Sequence, residues 1–379
     1  MRILESLALV PAAAILATAL PACGSGSGAK RPAPRPADRR LVLIDAKTGA
    51  VDHDFPDANG RISAISSDGK GGWYVGGDFD HIGLKPRNGL AHLRSDGTLE
   101  RGFVPALPSG ASTEAILYHG GVVYARAWPI ALGVVAIDAT TGARLWRVSL
   151  KNGYVNSLVY WRGTLFVSGN FWRIGGVLRK GVAALDAKTG KPMPWHIRLT
   201  KSRGAMSPMF GPIAISRGIL YLTGDFYRVN HVERRCGLAA VSARTGHLTS
   251  WRPRCMYGDD FDKIVLEVAR GQVLTGTPSV FDAGTAAHEL WWRRLEGYAT
   301  SFAVSGDTVY IGGDSEEGFS EAGGKPANNL ASVVLPEGRF TSWRPNLGRC
   351  VNVKTLGVSG NEVLVGGDFT QAPCPSDDY

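Results

Sequence analysis

Five cysteines and one acidic loop are the residues of this chain best equipped for chemistry. Cys23 closes an apolar N-terminal stretch, where a thiol can take a lipid. Cys236, Cys255, Cys350 and Cys374 lie far downstream without a Cys-x-x-Cys step, so their spacing points to disulfides and away from zinc. Met256-Tyr257-Gly258-Asp259-Asp260-Phe261-Asp262 gathers the carboxylates of Asp259, Asp260 and Asp262 in one loop, a candidate binding site for a cation or a basic partner. The eight histidines (His53, His81, His92, His119, His196, His231, His247 and His288) are scattered, with no two at metal-ligand spacing. No Gly-x-Ser-x-Gly elbow is written in the chain. The residues therefore assign no catalytic group, no metal centre and no cofactor, and the expectation is a binding protein, not an enzyme.

The elements that position these residues come from one sentence repeated along the chain. An apolar pair of strands ends in Gly-Gly-Asp-Phe or a variant, a loop follows, and then comes Leu-Ala-x-Leu-Asp, a Thr-Gly or Asp-Gly turn, and an aromatic residue. The clearest copy runs from Leu165-Phe166-Val167-Ser168-Gly169-Asn170-Phe171 through Ile174-Gly175-Gly176 to Val182–Asp186, Thr189-Gly190 and Trp195. Strand pairs end at Phe79, Trp128, Phe171, Phe226, Val280, Ser315 and Phe369, and second halves begin near Leu41, Leu90, Val134, Val182, Leu238, Phe281 and Leu330. The period from Phe79 to Phe369 is about 48 residues, with four short strands in each repeat, which predicts an all-β, seven-bladed β-propeller of four-stranded antiparallel blades. The repeats open on a second half at Leu41 and finish on a first half at Phe369. The two halves should pair, so that N- and C-terminal segments share the last blade and no edge is left open.

Within each repeat, the glycine of Thr48-Gly49, Asp96-Gly97, Thr141-Gly142, Thr189-Gly190 and Thr245-Gly246 supplies the positive φ of a tight turn. Asp45, Asp138 and Asp186 stand where a carboxylate bonds turn amides. Phe55, Phe103, Trp146, Trp195, Trp251, Trp291 or Trp292, and Trp343 follow the turns and should fill the gaps between blades, each Trp needing a partner for its N–H. The carboxylates of Asp78, Asp225 and Asp368, with Asn170 in the same place, are spread one to a repeat, which suits loop amides better than a shared ion.

Four cysteines allow three pairings. In an antiparallel blade, the loop between the second and third strands and the blade-to-blade loop emerge on one face. That places Cys236 opposite Cys255 and Cys350 opposite Cys374, and predicts those two bridges. Each would contribute about 3 kcal/mol by restricting the unfolded chain.

Residues 1–22 read as a lipoprotein signal peptide, with an apolar run from Leu7 to Leu20 too short to span a bilayer. Leu20-Pro21-Ala22-Cys23 resembles a bacterial lipobox. Residues 23–40 read as a basic Gly/Ser/Pro tether and 41–379 as a single propeller domain. The chain carries a net charge of +9, from 42 Lys and Arg against 33 Asp and Glu, and loss of residues 1–22 leaves it unchanged because Arg2 and Glu5 cancel. No nucleic-acid motif accompanies this charge. The expected setting is extracytoplasmic, lipid-anchored at the cell membrane, with an unidentified envelope protein or glycan as partner and no nucleic acid.

On these residues the region from about 41 to 370 resembles the delta-60-repeat type of bacterial propeller, through Gly76-Gly77-Asp78-Phe79, Gly366-Gly367-Asp368-Phe369, Ile174-Gly175-Gly176, and Trp-Arg-Pro at 251–253 and 343–345. Ala136–Trp146 and Ala184–Trp195 are similar to the tryptophan-docking repeat of quinoprotein propellers. The quinoprotein enzymes carry eight blades, a vicinal cysteine pair and a calcium site, and this chain has no vicinal cysteines. The resemblance therefore implies the frame without the cofactor. A lipobox joined to quinoprotein-like repeats also resembles the lipoprotein propeller of the outer-membrane β-barrel assembly machine, which implies an assembly role as the alternative to a general scaffold. An oxidoreductase, hydrolase or lyase using the central channel is the enzymatic alternative.

Overall fold

The computed structural model describes residues 39–370 apart from short stretches at 130–131, 201–209, 231–232, 236, 254–264, 277–278, 287, 290–294, 296, 316–317 and 349. The described residues form an all-β propeller of three- and four-stranded antiparallel sheets, with small accessory sheets at the loops. Four sheets have four strands, and three have three strands plus a single bridge where the fourth would run: Leu93 to Leu99, Leu185 to Pro192, and Val241 to Leu248. No helix among the described residues is long and apolar enough to cross a membrane.

One sheet joins the two ends of the repeat region. Its order is Val51–Asp52, Arg39–Asp45, Glu362–Thr370, Cys350–Ser359. Val42 pairs with Val365 and Ile44 with Val363, so the apolar faces of the two segments are in register. Strand Arg39–Asp45 begins two residues before the expected domain start, because the Asp57 carboxylate accepts the amides of Arg40 and Leu41 at 2.9 Å. The Asp368 carboxylate pairs with the Arg40 guanidinium across the same sheet.

The innermost strands pack one against the next: Arg61–Ser67 on Ser112–His119, then Tyr154–Trp161, Phe210–Ser216, Leu266–Ala269, Ser301–Ser305 and Cys350–Ser359, which lies against Arg61–Ser67. Polar side chains tie them: the Ser66 hydroxyl accepts the Tyr118 amide, Ser157 bonds Ile213, and Ser301 accepts the Leu356 amide. Five of these strands carry an irregularity at the same point, skipping Ser63, Glu114, Asn156, Gly211-Pro212 and Lys354 from the pairing. Such bulges re-aim a side chain away from the ladder.

The paired glycines follow from this packing. A Cβ on Gly366 would meet Ile62 of the neighbouring sheet at 2.4 Å, and one on Gly367 would meet the Asn352 carbonyl oxygen at 2.0 Å. The first glycine lets the next sheet approach, and the second lets the irregular inner strand bend over its own sheet. Phe79, Phe171, Phe226 and Phe369, closing the same steps, are all buried.

The expected strand run Val273–Val280 divides differently. Strand Gln272–Thr275 pairs with Ser279–Asp282 across a connection of three residues, much shorter than those that hold hairpins in other sheets. Its turn, Asp282-Ala283-Gly284-Thr285-Ala286, has Ala286 at φ 63 where the other copies have glycine, which hid it from the repeat.

Candidate functional site

Two faces emerge from these sheets, and they are built by different chemistry. On the turn face, four repeats fold an Asp-x-x-Thr segment round a carboxylate. Asp45 accepts the amide and hydroxyl of Thr48 at 2.6 Å each, and Asp138, Asp186 and Asp282 do the same for Thr141, Thr189 and Thr285. Ser242 takes the aspartate's place before Thr245. The threonine hydrogen bonds hold all four carboxyls below the ordinary aspartate range.

These turns are also the docking points between sheets. Trp146 Nε1 donates to the Ala187 carbonyl (3.0 Å), Trp195 Nε1 to Ser242 (3.4 Å), Trp251 Nε1 to Asp282 (2.9 Å) and Trp343 Nε1 to Asp45 (2.9 Å). Each aromatic thus reaches the following sheet, as its sequence position predicts. A second set of donors was not anticipated: the hydroxyls of Tyr74, Tyr124, Tyr221 and Tyr310 bond Ala139, Ala187, Ala283 and Ala46. Burial raises all four phenols, so they remain donors at neutral pH. The signal is a tyrosine one or two residues into each of these strands, but the alternation there reads simply as core.

The opposite face carries the connections between second and third strands. Three of these are hairpins bonded in register: His81–Ile82 with Lys85–Pro86, Arg173–Ile174 with Val177–Leu178, and Arg228–Val229 with Glu233–Arg234. The second also pairs with Leu150–Lys151 and the third with Leu199–Thr200, both in sheet-to-sheet connections, so the two loop sets do share a face. Ile82, Ile174 and Val229 point inward and are buried. The tips do not. Leu84 is 95% exposed, Leu178 50%, Trp128 44%, Trp172 43% and Val177 36%, and these make up five of the seven exposed large apolar side chains among the described residues. Leu84 lies in a connection of one sheet and Trp172, Val177 and Leu178 in that of another, while Trp128 ends a strand of the sheet between them, so the exposed apolar tips follow one face across three consecutive sheets as an apolar crescent. The Lys180 ammonium sits 5.2 Å over the Trp172 ring at its rim.

Cys350 is buried and disulfide-bonded, and lies opposite Thr370 in the mixed sheet. Cys23, Cys236, Cys255, Cys374, the acidic loop residues Asp259, Asp260 and Asp262, and Trp291 and Trp292 lie outside the described residues, as do the proposed signal peptide and nearly all of the tether. No group of three His, Cys, Asp or Glu that could hold a metal ion occurs among the described residues. His92 Nε2 is 2.9 Å from Asp68, and the ring stacks at 4.2 Å on Tyr74, its partner on the neighbouring strand, a packing role within one sheet.

A repeated frame of antiparallel sheets with docked aromatic joints defines a β-propeller. Residues 58–323 match the family described as outer membrane protein assembly factor BamB, and the chain belongs to that family. Among solved structures the fold is similar to U3-55K (10% identity, 86% of this chain and 98% of that one, TM-score 0.56) and to the computationally designed Ika8 protein (14%, 88% and 99%, TM-score 0.51). BamB from Moraxella catarrhalis is also similar (16% identity, 86% and 91%, TM-score 0.44). No curated protein sequence matches the chain.

Proposed function

We propose that the chain is a non-enzymatic assembly factor of the cell envelope, a scaffold that holds a partner protein on the apolar crescent around Leu84, Trp172 and Leu178. The crescent carries this reading: large apolar tips gathered on one face of a rigid frame mark an interaction site. Membership of a family named for outer membrane protein assembly supports the assembly role over a general scaffold. In this reading the sheets make seven blades in a closed ring, supported by the sheet that joins both ends and by the successive packing of inner strands. The delta-60-repeat resemblance describes the local repeat within that ring. Cys23 carries the lipid, residues before Arg39 tether the ring to an extracytoplasmic membrane surface, and Cys236–Cys255 and Cys350–Cys374 are the bridges. The position of Cys350, four residues of chain from Cys374 once paired with Thr370, supports the second bridge.

The test is cross-linking on intact cells, comparing the wild type with Cys23→Ser and with Leu84→Asp/Leu178→Asp. An envelope protein captured by the wild type and lost with the double variant is the expected result. Equal capture by the wild type and the folded double variant would reject the crescent as its site.

A further inference from the structure

The turn face holds a second feature with its own chemistry. Between the sheets of Tyr154–Trp161 and Phe210–Ser216 lies a cavity of about 400 Å³ lined by Trp161, Arg162, Arg217, Gly218, Ser242 and Arg244. It continues into a second hollow of about 250 Å³, walled by Met193 and Trp195 and sharing Trp161, Arg162 and Arg244. All three arginines are exposed, and neither lining includes a carboxylate.

The placement is a departure from the repeat. Arg162, Arg217 and Arg270 occupy the same position, in the turn between the first two strands of their sheets, each at positive φ: 46, 49 and 48°. Arg270 is neutralised by Asp307 in the corresponding turn of the next sheet. Arg162 has Arg217 in that place, and Arg244 from the adjoining turn adds a third cation. Three arginines thus line one hollow with no acid in its wall, a like-charged setting that suits an anionic ligand. The Arg162 guanidinium lies 5.3 Å from the Trp161 ring centroid, which orients its fork and leaves an aromatic floor. The groove thus joins a cationic end to an apolar wall of Met193 and Trp195.

We propose that this groove binds an acidic peptide segment of a partner protein, with carboxylates on Arg162, Arg217 and Arg244 and an apolar side chain against Met193 and Trp195. The amphipathic wall favours a peptide with alternating acidic and apolar residues over a bare anion, and the planar guanidinium fork matches a carboxylate in two hydrogen bonds. The proposal rests on the interaction role given above, but on the opposite face, so the two can fail separately.

The test uses the full chain and a fluorescein-labelled peptide of alternating Asp and Leu, with the Asn-Leu peptide as control and vesicles with and without phosphatidylglycerol as competitors. Fluorescence anisotropy should show the Asp peptide binding at least tenfold more tightly than the Asn peptide, and more weakly as salt rises. Arg162→Ala, Arg217→Ala and Arg244→Ala should each weaken it about fivefold or more, and the triple variant should abolish it. Arg270→Ala, at the same turn position in another sheet, should leave binding unchanged and serves as a control for folding. Binding that survives in the folded triple variant, binding equal for both peptides, or Arg-dependent binding to phosphatidylglycerol vesicles without binding to the peptide would overturn the proposal. Capture at the crescent should persist in the triple variant.

Discussion

The two faces of this propeller share the same sheets yet obey different rules. On the turn face, four copies of one carboxylate–threonine turn receive the indole or phenol of the preceding sheet, and the Ser242 turn receives Trp195. On the hairpin face the buried members repeat, as with Ile82 and Ile174, while the exposed tips differ: Leu84 in one hairpin, Val177 and Leu178 in another, Trp128 at the end of a strand. The contrast teaches where stability and recognition are kept apart. Residues that must satisfy a buried donor recur from sheet to sheet, and residues that face outward are free to vary with a partner.

If the turn face holds the frame together, the largest effect should come from its best-buried joint. Trp343 is 2% exposed, packs edge-to-face on Tyr310 at 4.9 Å, and bonds Asp45 in the sheet that joins the chain ends. Trp343→Ala should cost about 3–5 kcal/mol of stability, measured by chemical denaturation of the purified chain. Tyr310→Phe keeps the ring and removes only the hydroxyl that bonds Ala46 at 2.9 Å. It leaves one acceptor short of a donor and should cost about 1 kcal/mol. The double variant should be less destabilised than the sum, because both rings dock on one turn. Strict additivity would mean that the two donors are not one joint.

The turn carboxylates give a smaller effect with a defined pH signature. Asp138→Ala removes the acceptor of the Thr140 and Thr141 amides and the Thr141 hydroxyl, and should cost about 1 kcal/mol at neutral pH. Because hydrogen bonds lower the carboxyls of Asp45, Asp138, Asp186 and Asp282 in the folded chain, their contribution is present above the ordinary aspartate value of about 3.9. It is lost as pH falls from there through the lower folded values. The variant and wild type should therefore converge in stability as acid is added below about pH 4. Urea midpoints across that range check it, and a gap that stays constant would show that the carboxylate is not the source.

The sequence made the turn face readable because its chemistry is local. Asp138 and Thr141 are three residues apart, and Gly142 completes the turn at φ 81, so a short window contains the whole motif. The copy at Asp282 escaped because Ala286 replaces the glycine, and the tyrosine donors escaped because their acceptors lie some sixty residues away, 65 for Tyr74 and 63 for Tyr124. The crescent and the arginine groove were not legible at all. Leu84 and Trp172 belong to separate repeats, as do Arg162, Arg217 and the ion-paired Arg270, and only the packing of sheet on sheet shows which outward side chains become neighbours.

The smallest stability change expected is also the one that separates the faces most sharply. Leu178 is half exposed and closes a hairpin whose inward residue, Ile174, is fully buried. Leu178→Asp adds a charge where water already reaches, breaks no bond, and leaves the Arg173-to-Leu178 backbone pairing in place. Its effect on the unfolding midpoint should correspond to no more than about 0.5 kcal/mol. Ile174→Asp, one strand away in the same hairpin, would bury an unpaired carboxylate and should cost several times more. Two substitutions of identical chemistry would thus divide one hairpin into an inner half that serves the frame and an outer half that serves a partner. Equal destabilisation by the two would mean that the tips belong to the frame, and the crescent would lose its claim as a surface kept for recognition.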